Sequence, residues 1–397
     1  MKNIGYLKVV FFYALNAMAF FSCSEIIQDP ILEFNSDSII VSYDKIDEIS
    51  VSDMRGYWNN EIANNFIKTD ISVYRLVYKS KDEQGMDIEL SGAVLVPDME
   101  QAKGLISIQH STFFHDQEAP SENANFSVVS RKSIFSSNGY IVALPDYLGY
   151  GVDKARIHPY HQAATLASAS YDMIQATKEL VQVLKLDVND KIYLAGYSEG
   201  AFATAALQQL IEEKGEIKVN AISLGSGAYN MKRTFDSFIN LEETENTCLP
   251  CNAFFVQSYN DYYQLGQPMS YYFQSPYSEN IERGLFLGEY DATYINQNLP
   301  SNPQELYSPQ FLEDYLFQIQ SWNNALTENN IHEWYISVPA LISHNIDDNV
   351  APYFNSEELV AYNRDNSNVT FLSVPNTNHF DGIFVWGIST MQYFDGQ

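Results

Sequence analysis

Positive charge is scarce in this chain: Lys and Arg number 22 against 50 Asp and Glu, a formal net charge of −28 at pH 7. Nucleic acid and anionic lipid are held mainly by clustered Lys and Arg, so this balance argues against both as partners. It favours neutral or cationic substrates slightly, and an acidic surface on an exported protein also serves solubility. Cysteine is scarce too, with three residues. Metal-ligating patterns are missing: there is no H-x-x-x-H on a helical face, and His158 and His161 lie in a Pro-Tyr turn with no nearby cysteine or evident carboxylate pair. Neither a metal site nor a cofactor is therefore expected. No internal repeat is visible.

The chain has one marked apolar run near its start, Val9 to Phe21, preceded by Lys2 and Lys8 and followed by Ser22-Cys23. It is short for a stop-transfer helix and reads as a secretory signal over residues 1–22. A cysteine directly after such a run suggests cleavage before Cys23 and its acylation, as in bacterial lipoproteins. The match to that pattern is loose at Phe20-Phe21, and ordinary secretion is the alternative. The expectation is an exported protein that meets the membrane only through an N-terminal lipid anchor, facing the periplasm or the cell surface. Export agrees with the other two cysteines: Cys248-Leu-Pro-Cys251 can oxidise outside the cytoplasm and staple a loop, with a redox-active C-x-x-C as the other reading.

After a polar, acidic tether and lead-in over residues 23–68, strand signals recur at 71–78, 87–97, 105–109, 140–144, 191–195, 219–224, 340–343 and 369–374. Helical patterns lie between several of them, at 162–184 and 201–213. Strands alternating with helices imply an α/β protein with a mostly parallel central sheet covered on both faces, and ligands then bind outside the strand C-termini. Core segments are expected at 69–228 and 335–397. Between them, residues 229–334 form an insertion rich in Tyr and Asn/Gln, too long to be a bare loop.

Chemistry is concentrated in Gly196-Tyr-Ser198-Glu199-Gly200, which sits between the apolar Ile192–Ala195 and the small-residue run Ala201–Leu207. G-x-S-x-G between a strand and a helix makes Ser198 a candidate nucleophile on a strained turn, and the helix start directs the N–H of Glu199 at the same space. A serine hydroxyl needs a base and an orienting acid further along the chain. His379 follows the strand-like Val369–Val374, and the loop after Ala340–Ser343 carries Asp347 and Asp348.

These segments resemble the α/β-hydrolase superfamily, and within it the secretory-lipase (lipase A-like) esterase branch, over about residues 70–395. The carriers are Gly196-Tyr-Ser198-Glu-Gly200, His344-Asn-Ile-Asp347-Asp348-Asn-Val-Ala-Pro352, Asn378-His379, Gln109-His110-Ser111-Thr112 and Pro145-Asp-Tyr-Leu-Gly-Tyr-Gly151. The resemblance implies Ser198, Asp348 and His379 as a triad, the N–H groups of Glu199 and Thr112 as the oxyanion hole, and a helical cap made by the insertion. It departs from the family at Asn345 and Ser111, where glycine is usual, so Asp347 stays a rival to Asp348. The implied activity is hydrolysis of a carboxylic ester, on a small-molecule, lipid or glycan substrate, through an acyl-enzyme. The alternatives are a prolyl-oligopeptidase-type peptidase and a surface-anchored binding lipoprotein with an idle site.

Overall fold

The computed structural model describes residues 36–122, 127–239, 248–317 and 319–397. The signal segment 1–22 and Cys23 lie outside the described residues. Among the described residues nine strands form one sheet: β1 (Ile40–Ile49), β2 (Ile71–Lys81), β3 (Asp87–Pro97), β4 (Leu105–Gln109), β5 (Ile141–Pro145), β6 (Ile192–Tyr197), β7 (Ala221–Gly225), β8 (Ala340–Asn345) and β9 (Val369–Val374). Their spatial order is β1-β2-β3-β5-β4-β6-β7-β8-β9. The pairs from β1 to β5 by way of β2 and β3 are antiparallel, and the pairs from β5 through β4 to β9 are parallel.

Every residue of β4 to β8 is buried. These short runs of Ile, Leu, Val and Ala show no polar alternation because helices cover both faces of the parallel part. On one face, Phe202 and Leu207 of the helix Glu199–Lys214 and Leu166 and Ile174 of the helix Ala163–Val183 pack with Leu194, Ile222 and Leu224. On the other, Phe135 of the helix Ser127–Ser137 and Trp386, Met391 and Phe394 of the helix His379–Asp395 pack with Ile106, Tyr193 and Ala195. A fully buried Leu or Phe in such layers contributes about 1.5–3 kcal/mol.

The sheet begins earlier than the sequence reading placed it. The lead-in carries β1, paired antiparallel to β2 from Ile40 opposite Tyr78 to Ile49 opposite Ile71. Only its two end residues are buried, so its sequence has no apolar period to reveal it. Between β7 and β8, the helices Met231–Ile239, Leu249–Tyr262, Pro309–Leu316 and Gln320–Glu328 stand on the C-terminal edge of the sheet. Their aromatics extend the apolar core of that sheet face: Phe235 stacks on Phe255 at 5.2 Å, Phe255 on Tyr259 at 4.0 Å, and Trp322 lies 5.8 Å from Tyr259. Cys248 and Cys251 are joined in a disulfide at the start of the helix Leu249–Tyr262. No helix among the described residues is long and apolar enough to cross a membrane.

Candidate active site

Ser198 is the hinge between β6 and the helix Glu199–Lys214, with φ 60° and ψ −125°. A non-glycine residue held there costs of the order of 1–3 kcal/mol, so the surroundings must fix it. They do so by close backbone contact. The Ser198 N–H donates to the Gly225 carbonyl at 2.8 Å. A Cβ on Gly196 would stand 1.9 Å from the Gly200 carbonyl oxygen, and one on Gly200 would stand 2.1 Å from that of Gln109. The two flanking glycines are thus required for packing, and the turn pushes the serine side chain above the sheet edge.

Ser198 Oγ lies 2.8 Å from His379 Nε2, and His379 Nδ1 lies 2.7 Å from Asp348 Oδ2. A carboxylate can only accept, so the Nδ1 proton points at Asp348 and leaves the Nε2 lone pair for the serine hydroxyl. Asp348 is fixed from its other oxygen, which accepts from the N–H groups of Val350 at 3.0 Å and Ala351 at 2.8 Å. Burial pushes the Asp348 carboxyl up, but the hydrogen bond and charge of His379 outweigh it and hold the group below the usual carboxylate range. Asp347 is exposed to solvent, so of the two rivals only Asp348 meets the imidazole. His344 faces Ser356 Oγ at 2.7 Å and the Ala351 carbonyl at 2.8 Å, and shapes the acid loop from beneath.

Both departures from the family pattern carry their own contacts. Asn345 Nδ2 donates to Tyr197 Oη at 2.7 Å and to Ser226 Oγ at 3.1 Å, and Asn345 Oδ1 accepts from Thr377 Oγ1 at 3.2 Å. That side chain stands against Gly382, where an added Cβ would lie 2.0 Å from its Nδ2. Ser111 Oγ donates to the Tyr197 carbonyl at 3.0 Å, which holds the loop after β4 against the turn that carries Ser198. Thr112 follows in that loop, and its Oγ1 pairs with Tyr160 Oη at 3.0 Å. The backbone N–H groups of Thr112 and Glu199 have no acceptor among the described residues.

Sequence reasoning missed the side chain of Glu199. It is 1% exposed, and its carboxylate lies 2.8 Å from His158 Nε2, while His158 Nδ1 faces the Leu148 carbonyl at 2.7 Å. Both ring nitrogens of His158 therefore face acceptors, the Glu199 carboxylate on one side and a backbone carbonyl on the other. Burial pushes Glu199 up, and the charge and hydrogen bond of His158 more than reverse it. His110 and His161 also flank Glu199 electrostatically, but burial takes each down to about 4 and leaves it neutral. The available signal was a carboxylate in the first turn of a helix whose next residues, Ala201 to Leu207, are all buried; such a group must find a partner.

A small cavity opens beside Ser198, lined by Tyr160, His161, Met231, Phe238, Phe255 and Ala351 and holding ≈ 20 Å³. That is room for about one water-sized group. Cys251 also borders it, so the disulfide stands at the wall of the cavity.

A family model described as secretory lipase matches residues 128–394. Among solved structures, a protein from Legionella pneumophila is similar at 28% identity, covering 90% of this chain and 98% of its own, with a TM-score of 0.82. The rice cell wall degrading esterase LipA from Xanthomonas oryzae is similar at 23% identity, with 90% and 96% covered and a TM-score of 0.78. Candida antarctica lipase A in its closed state is similar at 16% identity, with 89% and 82% covered and a TM-score of 0.62. No curated sequence matches the chain significantly.

Proposed function

This chain belongs to the secretory lipase family, has the α/β-hydrolase fold and is a carboxylic ester hydrolase; on that premise we propose that it works as a serine esterase through an acyl-enzyme. Ser198 Oγ attacks the ester carbonyl while His379 Nε2 takes its proton, and the same nitrogen then protonates the leaving alcohol. Asp348 fixes the tautomer of His379 and stabilises the imidazolium. The N–H groups of Glu199 and Thr112 receive the oxyanion. Water repeats the cycle on the acyl-enzyme. The reading rests on one observation above the others, the continuous contact Ser198–His379–Asp348 at 2.8 and 2.7 Å.

The cavity of ≈ 20 Å³ beside the serine supports short acyl groups, acetyl above all, over long ones. Family membership supports export, and anchoring through an acylated Cys23 is proposed on the sequence pattern alone. A labelled-palmitate incorporation that disappears in Cys23→Ala would support the anchor.

The function is tested with p-nitrophenyl esters of increasing chain length. Asp348→Asn is expected to lose about 10³-fold or more in kcat and Asp347→Asn to stay within about two-fold of the parent. Acetate is expected to exceed octanoate in kcat/KM. Equal losses in both aspartate variants would contradict the assignment, and hydrolysis of aminoacyl anilides in preference to simple esters would indicate a peptidase.

A further inference from the structure

On the sheet face away from the helices Ala163–Val183 and Glu199–Lys214, three other helices leave a cavity of ≈ 220 Å³ between them. Its walls are Trp58 of the helix Val51–Trp58, Lys132 and Phe135 of Ser127–Ser137, and Phe384, Trp386 and Gly387 of His379–Asp395. The lining is almost wholly apolar except for Lys132 and, at the rim, Arg131. None of the residues proposed for ester hydrolysis borders it.

Lys132 is the unusual member. It is 6% exposed, its Nζ stands 4.7 Å from the centroid of the Trp386 ring, and among the described residues neither it nor Arg131 forms an ion pair with a carboxylate. The chain as a whole has 50 acidic residues against 22 basic ones, so carboxylates are the most available partners. A largely buried lysine whose ammonium faces an aromatic ring and an apolar cavity is poorly compensated for lost water. Burial, with Arg131 alongside, takes its pKa down to about 7. The indole N–H groups of Trp58 and Trp386 are also buried without an acceptor. Cavity, cation and unmet donors together describe a site whose negative charge comes from none of the described residues.

We infer that this cavity binds a monocarboxylate with an apolar tail, its carboxylate on Lys132 and its tail between Trp58, Phe384 and Met391. One buried lysine suits a single negative charge, and apolar walls suit a hydrocarbon body. At about 30 Å³ for each water-sized group, the volume takes about seven such groups, close to the carboxylate, methylenes and methyl of a chain the length of heptanoate or octanoate.

The experiment titrates the full-length protein with octanoate, following tryptophan fluorescence and calorimetry; two of the four tryptophans line the cavity. Expected is saturable binding at one site, with octanol and octylammonium weaker by about ten-fold or more. Lys132→Met is expected to weaken octanoate by a similar factor with p-nitrophenyl acetate turnover unchanged. Gly387→Leu gives an independent check with Lys132 intact, since a Cβ there meets nothing within 4 Å and the added side chain fills the cavity. Absence of binding to the parent protein would overturn the inference. So would octanoate affinity unchanged in both variants, or octanol binding as well as octanoate.

Discussion

Tyr197 Oη donates to the backbone carbonyl of His379 at 2.6 Å. The residue before the proposed nucleophile thus holds the residue that carries the proposed base, across two strands of the sheet. The same hydroxyl accepts from Asn345 Nδ2, which ties in the loop that bears Asp348. Three segments far apart in sequence converge on one phenol. Tyr197→Phe leaves the buried His379 carbonyl and the Asn345 amide each short of a partner, at a cost of about 1–3 kcal/mol. Under the proposed mechanism the damage falls on the placement of His379 and not on substrate contacts, so kcat is expected to drop about ten-fold with KM little changed. Steady-state kinetics on p-nitrophenyl acetate check this, and an unchanged kcat would show that the tether has no bearing on turnover.

Glu199 and His158 form a pair from which neither partner can be removed cheaply. Deleting one member of a buried hydrogen-bonded pair leaves the other unsatisfied, at a cost of about 1–3 kcal/mol, more where the group left behind is a carboxylate. Glu199→Ala and His158→Ala are each expected to destabilise by that order. The double variant is expected to cost clearly less than the two together, as it leaves no orphaned charge. Urea unfolding of the three proteins measures the coupling, and simple additivity would argue that the pair is not energetically linked.

Acid should destabilise the fold through groups other than the proposed triad. His110, His161 and His344 are held at about 4 by burial, from 6.5 in the unfolded chain. For each, the folded value is depressed, so its contribution to stability is complete above 6.5 and lost as pH falls towards 4. Asp146 has the opposite sign: burial raises it to about 6, so its contribution is present at low pH and lost as pH rises through 6. At pH 5 unfolding takes up nearly one proton at each of the three histidines and releases nearly one from Asp146, a net uptake of about two. Unfolding free energy is therefore expected to fall steeply between pH 6.5 and 4. Urea midpoints across that range check it, and a midpoint that rises on acidification would contradict the assignment of three neutral buried histidines.

Much of this arrangement is legible in the sequence, for identifiable reasons. Strands β3, β4 and β9 have the bounds expected from their apolar runs, since turn residues close them at both ends. Ser198 and His379 could be picked out because Ser198 follows β6 directly and His379 comes one short turn after β9, and a parallel sheet brings such positions to one edge. The preference for Asp348 over Asp347 rested on the resemblance, because the two are neighbours and only the loop conformation decides which one turns inward. β1 escaped because an edge strand exposed on both sides carries no pattern. The Glu199–His158 contact spans 41 residues and depends on how the loop through Pro159 folds under the helix Glu199–Lys214, which no local spacing encodes.

The central claim is that Ser198 is the nucleophile and His379 its base. The most direct measurement is labelling by a fluorophosphonate, followed by mass spectrometry of the digested protein. A single phosphonyl adduct is expected on the peptide that contains Ser198, formed in the parent protein, absent in Ser198→Ala and slowed by about 10³-fold or more in His379→Ala. An adduct on any other serine, or undiminished ester turnover by Ser198→Ala, would contradict it.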